Sequence, residues 1–275
     1  MKSIITKLLQ MNILIRDLFY KFMLINDKEK MYGKIMVAVG FLVLLIVWFV
    51  LSYIIKINRI FLPTPLEVSL SLWNLIVSGK FFINFLYSFV RIFLATLISV
   101  LIGVPLGILI GYSFNLRKLM LVVTEPMRYL PITALIPLLI LWLGIGEPMK
   151  IIFLVVGIVF YLISMVSNSV QQIKKEYLLV ARDFCLSTKE MILKVIWPAS
   201  LPQIWDSIIV VNGIGWTYMV LAEIINARNG LGYMISIAGR LQRSDEVFAS
   251  LLLLTLVALS LDKILRFIKG KYFNW

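Results

Sequence analysis

The chain has 275 residues, 61% of them hydrophobic and 15% charged, with 27 lysines and arginines against 14 aspartates and glutamates and no histidine. That charge fraction and a mean hydropathy of +0.98 lie far from soluble domains, in which about a quarter of residues are charged; the chain reads as an integral membrane protein. The absence of histidine removes the commonest general base and metal ligand, and the single cysteine, Cys185, excludes an intrachain disulfide, so a membrane-embedded hydrolase or metalloenzyme is not expected.

In chain order, residues 1–33 are apolar but carry Arg16, Asp17 and Lys21 in their middle. Each such charge costs about 2.5–3.5 kcal/mol at a bilayer centre, and no small-residue cleavage site follows. A cytoplasmic, interfacial amphipathic helix is expected, with a flexible basic leader as the alternative. Six candidate spans follow, at residues 36–55, 85–112, 119–143, 151–168, 204–225 and 247–267, each near the ~20 residues a helix needs to cross hydrocarbon. The period-2 alternation of a barrel is absent, so the spans are helices.

Gly103, Gly107 and Gly111 recur every four residues on the second span, a spacing that permits close helix approach. Intrachain packing is the expected role, with a subunit interface or a solute path as the alternative. Pro126, Pro131 and Pro137 predict a kinked or broken third span.

Arg128, Asp206 and Glu223 are charges inside or at the edge of spans, so each needs a partner or a watery cavity. Arg128 is expected to pair with Glu223 or Glu125, or to attract an oxyanion. Asn212, Trp216 and Thr217 on the fifth span are candidates for lining a pathway.

Lysines and arginines number 18 in residues 1–34, the 113–118 loop, residues 173–198 and the tail from Lys263, against 7 in the opposite loops. That bias places both termini in the cytoplasm and accounts for the net charge of +13 without nucleic acid.

Residues 174–198 interrupt the apolar pattern with an amphipathic passage, KKEYLLVARDFCLSTKEMILKVIWP. Ser187 and Glu190 have capping-box spacing, predicting a second short helix from Thr188 to about residue 197, stopped by Pro198, with Pro202 opening the next span. The passage is far longer than a simple helix connection of 2–8 residues. It reads as a docking element for a soluble partner or as a hairpin lying on the lipid surface.

EYLLVARDFCLSTKEMILKVIWPASLPQI resembles the cytoplasmic loop of binding-protein-dependent ABC transporter permeases, whose signature reads EAA, three residues, G, nine residues, I, one residue, LP. Val180 and Ala181 stand at the two alanines, Cys185 at the glycine, Val195 at the isoleucine and Trp197-Pro198 at the leucine-proline; Leu179 replaces the acidic residue. FLPTPLEV, SFVRIFLATLISVLIGVPLGILIGYS, MRYLPITALIPLLILWLGIGE and AEIINARNGLGYMI are similar, in the expected order, to segments of the nitrate, sulfonate, taurine and bicarbonate branch.

The resemblance implies an all-α type I importer permease of the MetI-like fold, with six transmembrane helices and a coupling helix between spans 4 and 5. It assigns residues 34–268 to the permease domain, with a core of about 82–268, 174–198 to the coupling loop and 269–275 to a cytoplasmic tail. It implies a bacterial-type inner membrane, a second permease copy in a homodimer, an extracytoplasmic solute-binding protein that meets residues 226–245, with a plain solvated loop and re-entrant helix as the alternative there, and a cytoplasmic ATPase dimer. On that dimer would sit ATP and Mg; this chain would bind no cofactor or metal and catalyse no bond change. The residues agree that ATP binds elsewhere, since no G-x-x-x-x-G-K-[ST] loop occurs and the three Gly-Lys pairs lack it.

Tyr177, Ala181, Arg182, Phe184, Cys185 and Leu186 are the expected ATPase-coupling residues, and Arg128, Asn212, Trp216, Thr217 and Glu223 the candidates for the pathway. The solute expected is a small anion: nitrate, an alkanesulfonate or taurine, or bicarbonate. A thiamin-precursor pyrimidine, another organic solute, or an ion-driven secondary transporter are the alternatives, the last disfavoured by the lack of an internal repeat.

Overall fold

The computed structural model describes residues 27–273 and is all-helical over them; most of the expected amphipathic segment at residues 1–33 lies outside the described residues. The chain divides into two units, residues 1–65 and 66–275. In the first, α1 (Asp27–Phe49) runs into a π-helical turn, Val50–Ile54. Its apolar side chains are exposed all round the helix, the pattern of a span bathed in lipid. Beyond it the Trp48 indole N–H donates to the Pro63 carbonyl at 2.9 Å.

The second unit opens with a short apolar helix, α2 (Pro65–Val77), followed by α3 (Lys80–Tyr112). Next come α4 (Phe114–Tyr129), a 3-10 turn at Ile132–Leu135 and α5 (Ile136–Leu143). The third expected span is broken, with 94° between its two helical arms. Pro126 is carried inside α4 and Pro137 sits in the first turn of α5, where a missing N–H costs nothing. The break comes at Leu130 and Pro131, where the backbone is extended, as the residue before a proline prefers.

The central element is α6 (Glu147–Gln171), whose Phe153, Leu154, Ile158, Leu162 and Val166 are almost fully buried. It packs most extensively on α3. There the glycine stripe faces inward: a Cβ at Gly107 would lie 2.7 Å from Val166 Cβ, and one at Gly111 2.7 Å from the Ser167 carbonyl. The stripe therefore serves intrachain packing.

After α6 come α7 (Lys175–Asp183), α8 (Thr188–Met191), a π-helical turn at Ile192–Ile196, α9 (Trp197–Asn226), α10 (Leu231–Arg240) and α11 (Ser244–Tyr272). One expectation fails here. Pro198 does not stop the second short helix: the chain stays helical from Thr188 to Asn226, with Pro198 in the first turn of α9 and Pro202 inside it. The widened π turn ahead of Pro198, closed by the Trp197 N–H on the Ile192 carbonyl, changes the helical pitch where a proline ring would otherwise meet the carbonyl four residues back.

Among the described residues, five helices are long and apolar enough to cross a membrane, and the bent α4–α5 pair makes six if its arms count as one span.

Candidate functional site

Three arrangements stand out. The first is the hairpin of α7 and α8. At the end of α7 the Cys185 N–H donates to the Arg182 carbonyl at 2.8 Å and the Leu186 N–H to the Ala181 carbonyl at 3.2 Å, the paired bonds of a Schellman cap. Cys185 takes the left-handed position with φ 49°, one that glycine fills without strain. Ser187 then caps α8: its hydroxyl accepts the Glu190 N–H at 3.4 Å, and the Glu190 carboxylate accepts the Ser187 N–H at 3.1 Å.

The hairpin has two faces. Ala181 is 3% exposed and packs with Met191 and Ile196 in the bundle, with Leu186 half-buried against the same cluster. Tyr177, Val180 and Phe184 point outward on the spacing of one helical face, Phe184 at 76% exposure, with Arg182 and Cys185 also exposed. Ala181 thus secures the hairpin from behind, and the aromatic face is left open.

The second arrangement is a buried polar lock where α3 and α6 begin and α9 ends. Arg91, 2% exposed, donates from Nη1 to Glu223 Oε1 at 2.7 Å and to the Asn229 carbonyl at 2.8 Å; its Nε and Nη2 form a fork to Glu147 at 2.6 and 2.7 Å. The Lys150 ammonium donates to Glu147 at 2.9 Å. Glu223, fully buried, also accepts from the Ser88 hydroxyl at 2.8 Å and from the Gly232 N–H at 2.8 Å. Three of the first N–H groups of α10, which no helix can satisfy internally, find acceptors here: Gly230 on Asn84 Oδ1, Leu231 on Ser88 Oγ and Gly232 on Glu223. Asn84, Ser88 and Arg91 lie on one face of α3 at intervals of four and three. The network fixes α10 against the bundle.

The third concerns the remaining pathway candidates. Arg128 pairs with Glu125 at 3.4 Å, one of its two expected partners; Glu223, the other, belongs to Arg91. Asn212 lines a cavity of about 400 Å³ between α3, α9 and α11, walled by Phe89, Phe93, Trp205 and Leu261. Trp216 is buried in the core, its indole N–H without a hydrogen-bond partner among the described residues, and Thr217 is exposed. Asp206 accepts from the Lys269 ammonium at 2.6 Å, joining α9 to α11.

Residues 103–271 match the family described as binding-protein-dependent transport system inner membrane component. The chain belongs to that family. It is 30% identical over 233 residues, 85% of this chain and 84% of the relative, to SsuC of Bacillus subtilis, a permease protein named for aliphatic sulfonate transport. It is 30% identical to the taurine transport system permease protein TauC of Escherichia coli, over 85% of this chain and 86% of the relative. To the nitrate import permease protein NrtB of Synechococcus elongatus it is 26% identical, over 82% and 85%. Among solved structures, a chain of the MetNI methionine ABC transporter superposes with a TM-score of 0.60 at 19% identity, covering 67% of this chain and 90% of that one. The protein is thus the multi-pass membrane permease of an ABC importer with a MetI-like fold, and is not itself an enzyme.

Arg91, Glu147 and Lys150 were not among the site residues expected from sequence. Their signal was present as an arginine inside an apolar run, Phe85–Ser99, whose charge demanded a partner.

Proposed function

We propose that this permease works as one half of a pair that imports a small oxyanion, a sulfonate such as taurine or an inorganic ion such as nitrate, by alternating access driven by a separate ATPase. The names of SsuC, TauC and NrtB support that solute class. The observation that carries the coupling assignment is the α7–α8 hairpin. Its base is buried through Ala181, its turn is held by a Schellman cap and a capping box, and its outer face presents Tyr177 and Phe184. A rigid hairpin with an open aromatic face suits insertion into a groove of the ATPase, and aromatic anchors dominate such contacts. Arg182 supplies the polar contact beside them.

In this reading both termini and the hairpin are cytoplasmic, and α10 with its flanking loops faces the solute-binding protein outside. Closure of the ATPase dimer moves the hairpins of two permease copies and switches the pair between inward- and outward-facing states. The lock between Arg91, Glu147 and Glu223 then holds the outer helix α10 rigid on α3 and α9 while the halves move.

The test is purification of the chain from its native membrane with identification of what accompanies it. The accompanying binding protein is then screened against taurine, alkanesulfonates, nitrate and bicarbonate. A co-purifying ATPase and tight binding of one of these anions support the proposal; a chain that purifies alone and transports without ATP overturns it.

A further inference from the structure

The groove between α3, α9 and α11 is lined by apolar side chains almost throughout and encloses about 400 Å³. Three of its wall residues, Phe93, Leu97 and Ile264, are 54%, 42% and 53% exposed, so it opens sideways out of the bundle. Around membrane-spanning helices the surrounding medium is lipid, and an apolar cavity takes up an apolar guest rather than water. Three polar side chains also reach the wall. The Trp205 N–H is occupied by the Leu265 carbonyl at 2.9 Å, whereas the Thr96 hydroxyl is buried without a hydrogen-bond partner among the described residues. The third is the Asn212 carboxamide.

At one end the groove runs into a basic patch. Lys263, Arg266, Lys269 and Lys271 fall in the last turns of α11. Lys271 follows Ile264 by two turns on one line, and Lys269 follows the wall residue Leu265 by four positions, so both stand directly beyond the groove. Arg266 pairs with Asp262 at 2.7 Å and Lys269 with Asp206 at 2.6 Å; Lys263 and Lys271 have no ion pair among the described residues. Four cations against two carboxylates leave the patch positive. The depths agree. α11 has 29 residues, and about 20 of them, counted from Ser244, cross ~30 Å of hydrocarbon. The hydrocarbon then ends near Ile264, at the groove, and the patch lies among the headgroups. Asn212 stands ~9 Å beyond Asp206 along α9, at ~1.5 Å per residue. That is close to the ~5–8 Å thickness of one headgroup layer, which separates lipid phosphates from the ester carbonyls at the hydrocarbon edge.

We propose that this groove is a binding site for one phospholipid with an anionic headgroup, taken from the leaflet at which α11 ends, cytoplasmic in the orientation given above. An acyl chain fills the groove along Phe93, Leu97 and Ile264. The phosphate sits over Lys269 and Lys271, and Trp205 packs at the boundary, where indoles favour the membrane interface. The Asn212 carboxamide donates to an ester carbonyl, for which the Thr96 hydroxyl is a second donor. The lipid thereby fastens α3 to α9 and α11, and Asn212 serves lipid rather than solute.

The test needs no knowledge of the solute. The full-length chain, with whatever subunits accompany it, is purified in mild detergent and mixed with equal amounts of dioleoyl phosphatidylglycerol and dioleoyl phosphatidylcholine. The lipid it retains is counted by native mass spectrometry. The site predicts about one phosphatidylglycerol per chain, preferred about tenfold over phosphatidylcholine. Lys271→Gln, which breaks no ion pair, is expected to lower that preference about fivefold. Lys174→Gln with Lys175→Gln, at exposed positions on α7 and its cap, must leave it unchanged. Leu97→Trp, which fills the groove, is expected to abolish retention of both lipids; the lysine variants, all at exposed residues, keep the test valid if Leu97→Trp does not fold. Equal retention of the two lipids, or a preference that Lys271→Gln leaves intact or that the α7 lysines lower equally, overturns the site. So does release of the lipid by glycerol phosphate, which marks a free-anion site, or the absence of any retained lipid, which marks a groove covered by a second copy of the chain.

Discussion

Arg91 on α3 and Glu223 on α9 meet at 2.7 Å across 132 positions of sequence, and the carboxylate that receives the guanidinium also receives the Gly232 N–H in the first turn of α10. One carboxylate therefore neutralises a buried cation and satisfies a helix end. Removing a single partner from a buried ion pair costs about 3–5 kcal/mol, because the other charge is left uncompensated. Arg91→Met is expected to lose that much stability, measured by unfolding in detergent. Adding Glu223→Gln, which keeps an acceptor for Gly232 and Ser88 but removes the charge, is expected to restore part of the loss. Strictly additive losses would contradict the pairing.

Gly230 is fixed twice over. Its φ of 130° is rarely adopted by other residues, and a Cβ there would collide with the Glu223 carboxylate. Gly230→Ala is expected to cost about 3 kcal/mol, from backbone strain and overpacking together. Gly239 lies within α10 with nothing near the position a Cβ would take, so Gly239→Ala is expected to be neutral or stabilising by up to about 1 kcal/mol. Comparing the unfolding midpoints of the two variants separates the lock at Gly230 from a general intolerance of α10.

At Cys185 the strain can be relieved. A non-glycine residue in the left-handed region costs about 1–2 kcal/mol, so Cys185→Gly is expected to stabilise the hairpin by about 1 kcal/mol, and Cys185→Val to destabilise it. Hydrogen exchange at the Cys185 and Leu186 amides, both bonded in the cap, reports the change: slower exchange with glycine, faster with valine.

Five of the expected spans were legible among the described residues because hydrophobic runs act locally. A break in the third span followed from Pro126, Pro131 and Pro137, of which Pro131 stands at the break itself, and the Ser187–Glu190 cap was read from its spacing alone. Pro198 misled because the signal for a helix stop is local, while the π turn that rescued the helix depends on how residues 192–196 pack in the bundle. Ala181 was grouped with the outward face for a similar reason. The spacing of Tyr177, Ala181 and Phe184 shows that they neighbour one another, but only the packed bundle separates the inward residue from the other two. Arg91 was visible as an unexplained charge, yet its partners lie 56 and 132 residues away. Spans that alternate in direction bring the starts of α3 and α6 and the end of α9 to one end of the bundle, which was the clue that Glu147 and Glu223 were within its reach.

The open aromatic face of the hairpin carries the account, and Phe184 is its most exposed member. Phe184→Glu places a charge in the proposed groove without touching the buried side that Ala181 secures. The decisive measurement is the amount of ATPase that co-purifies with this variant, taken alongside its unfolding midpoint. Docking through this face requires at least about a tenfold loss of associated ATPase, the effect of removing one aromatic anchor worth ~1.4 kcal/mol or more, with the midpoint unchanged. Full association and unaltered uptake by Phe184→Glu would contradict it.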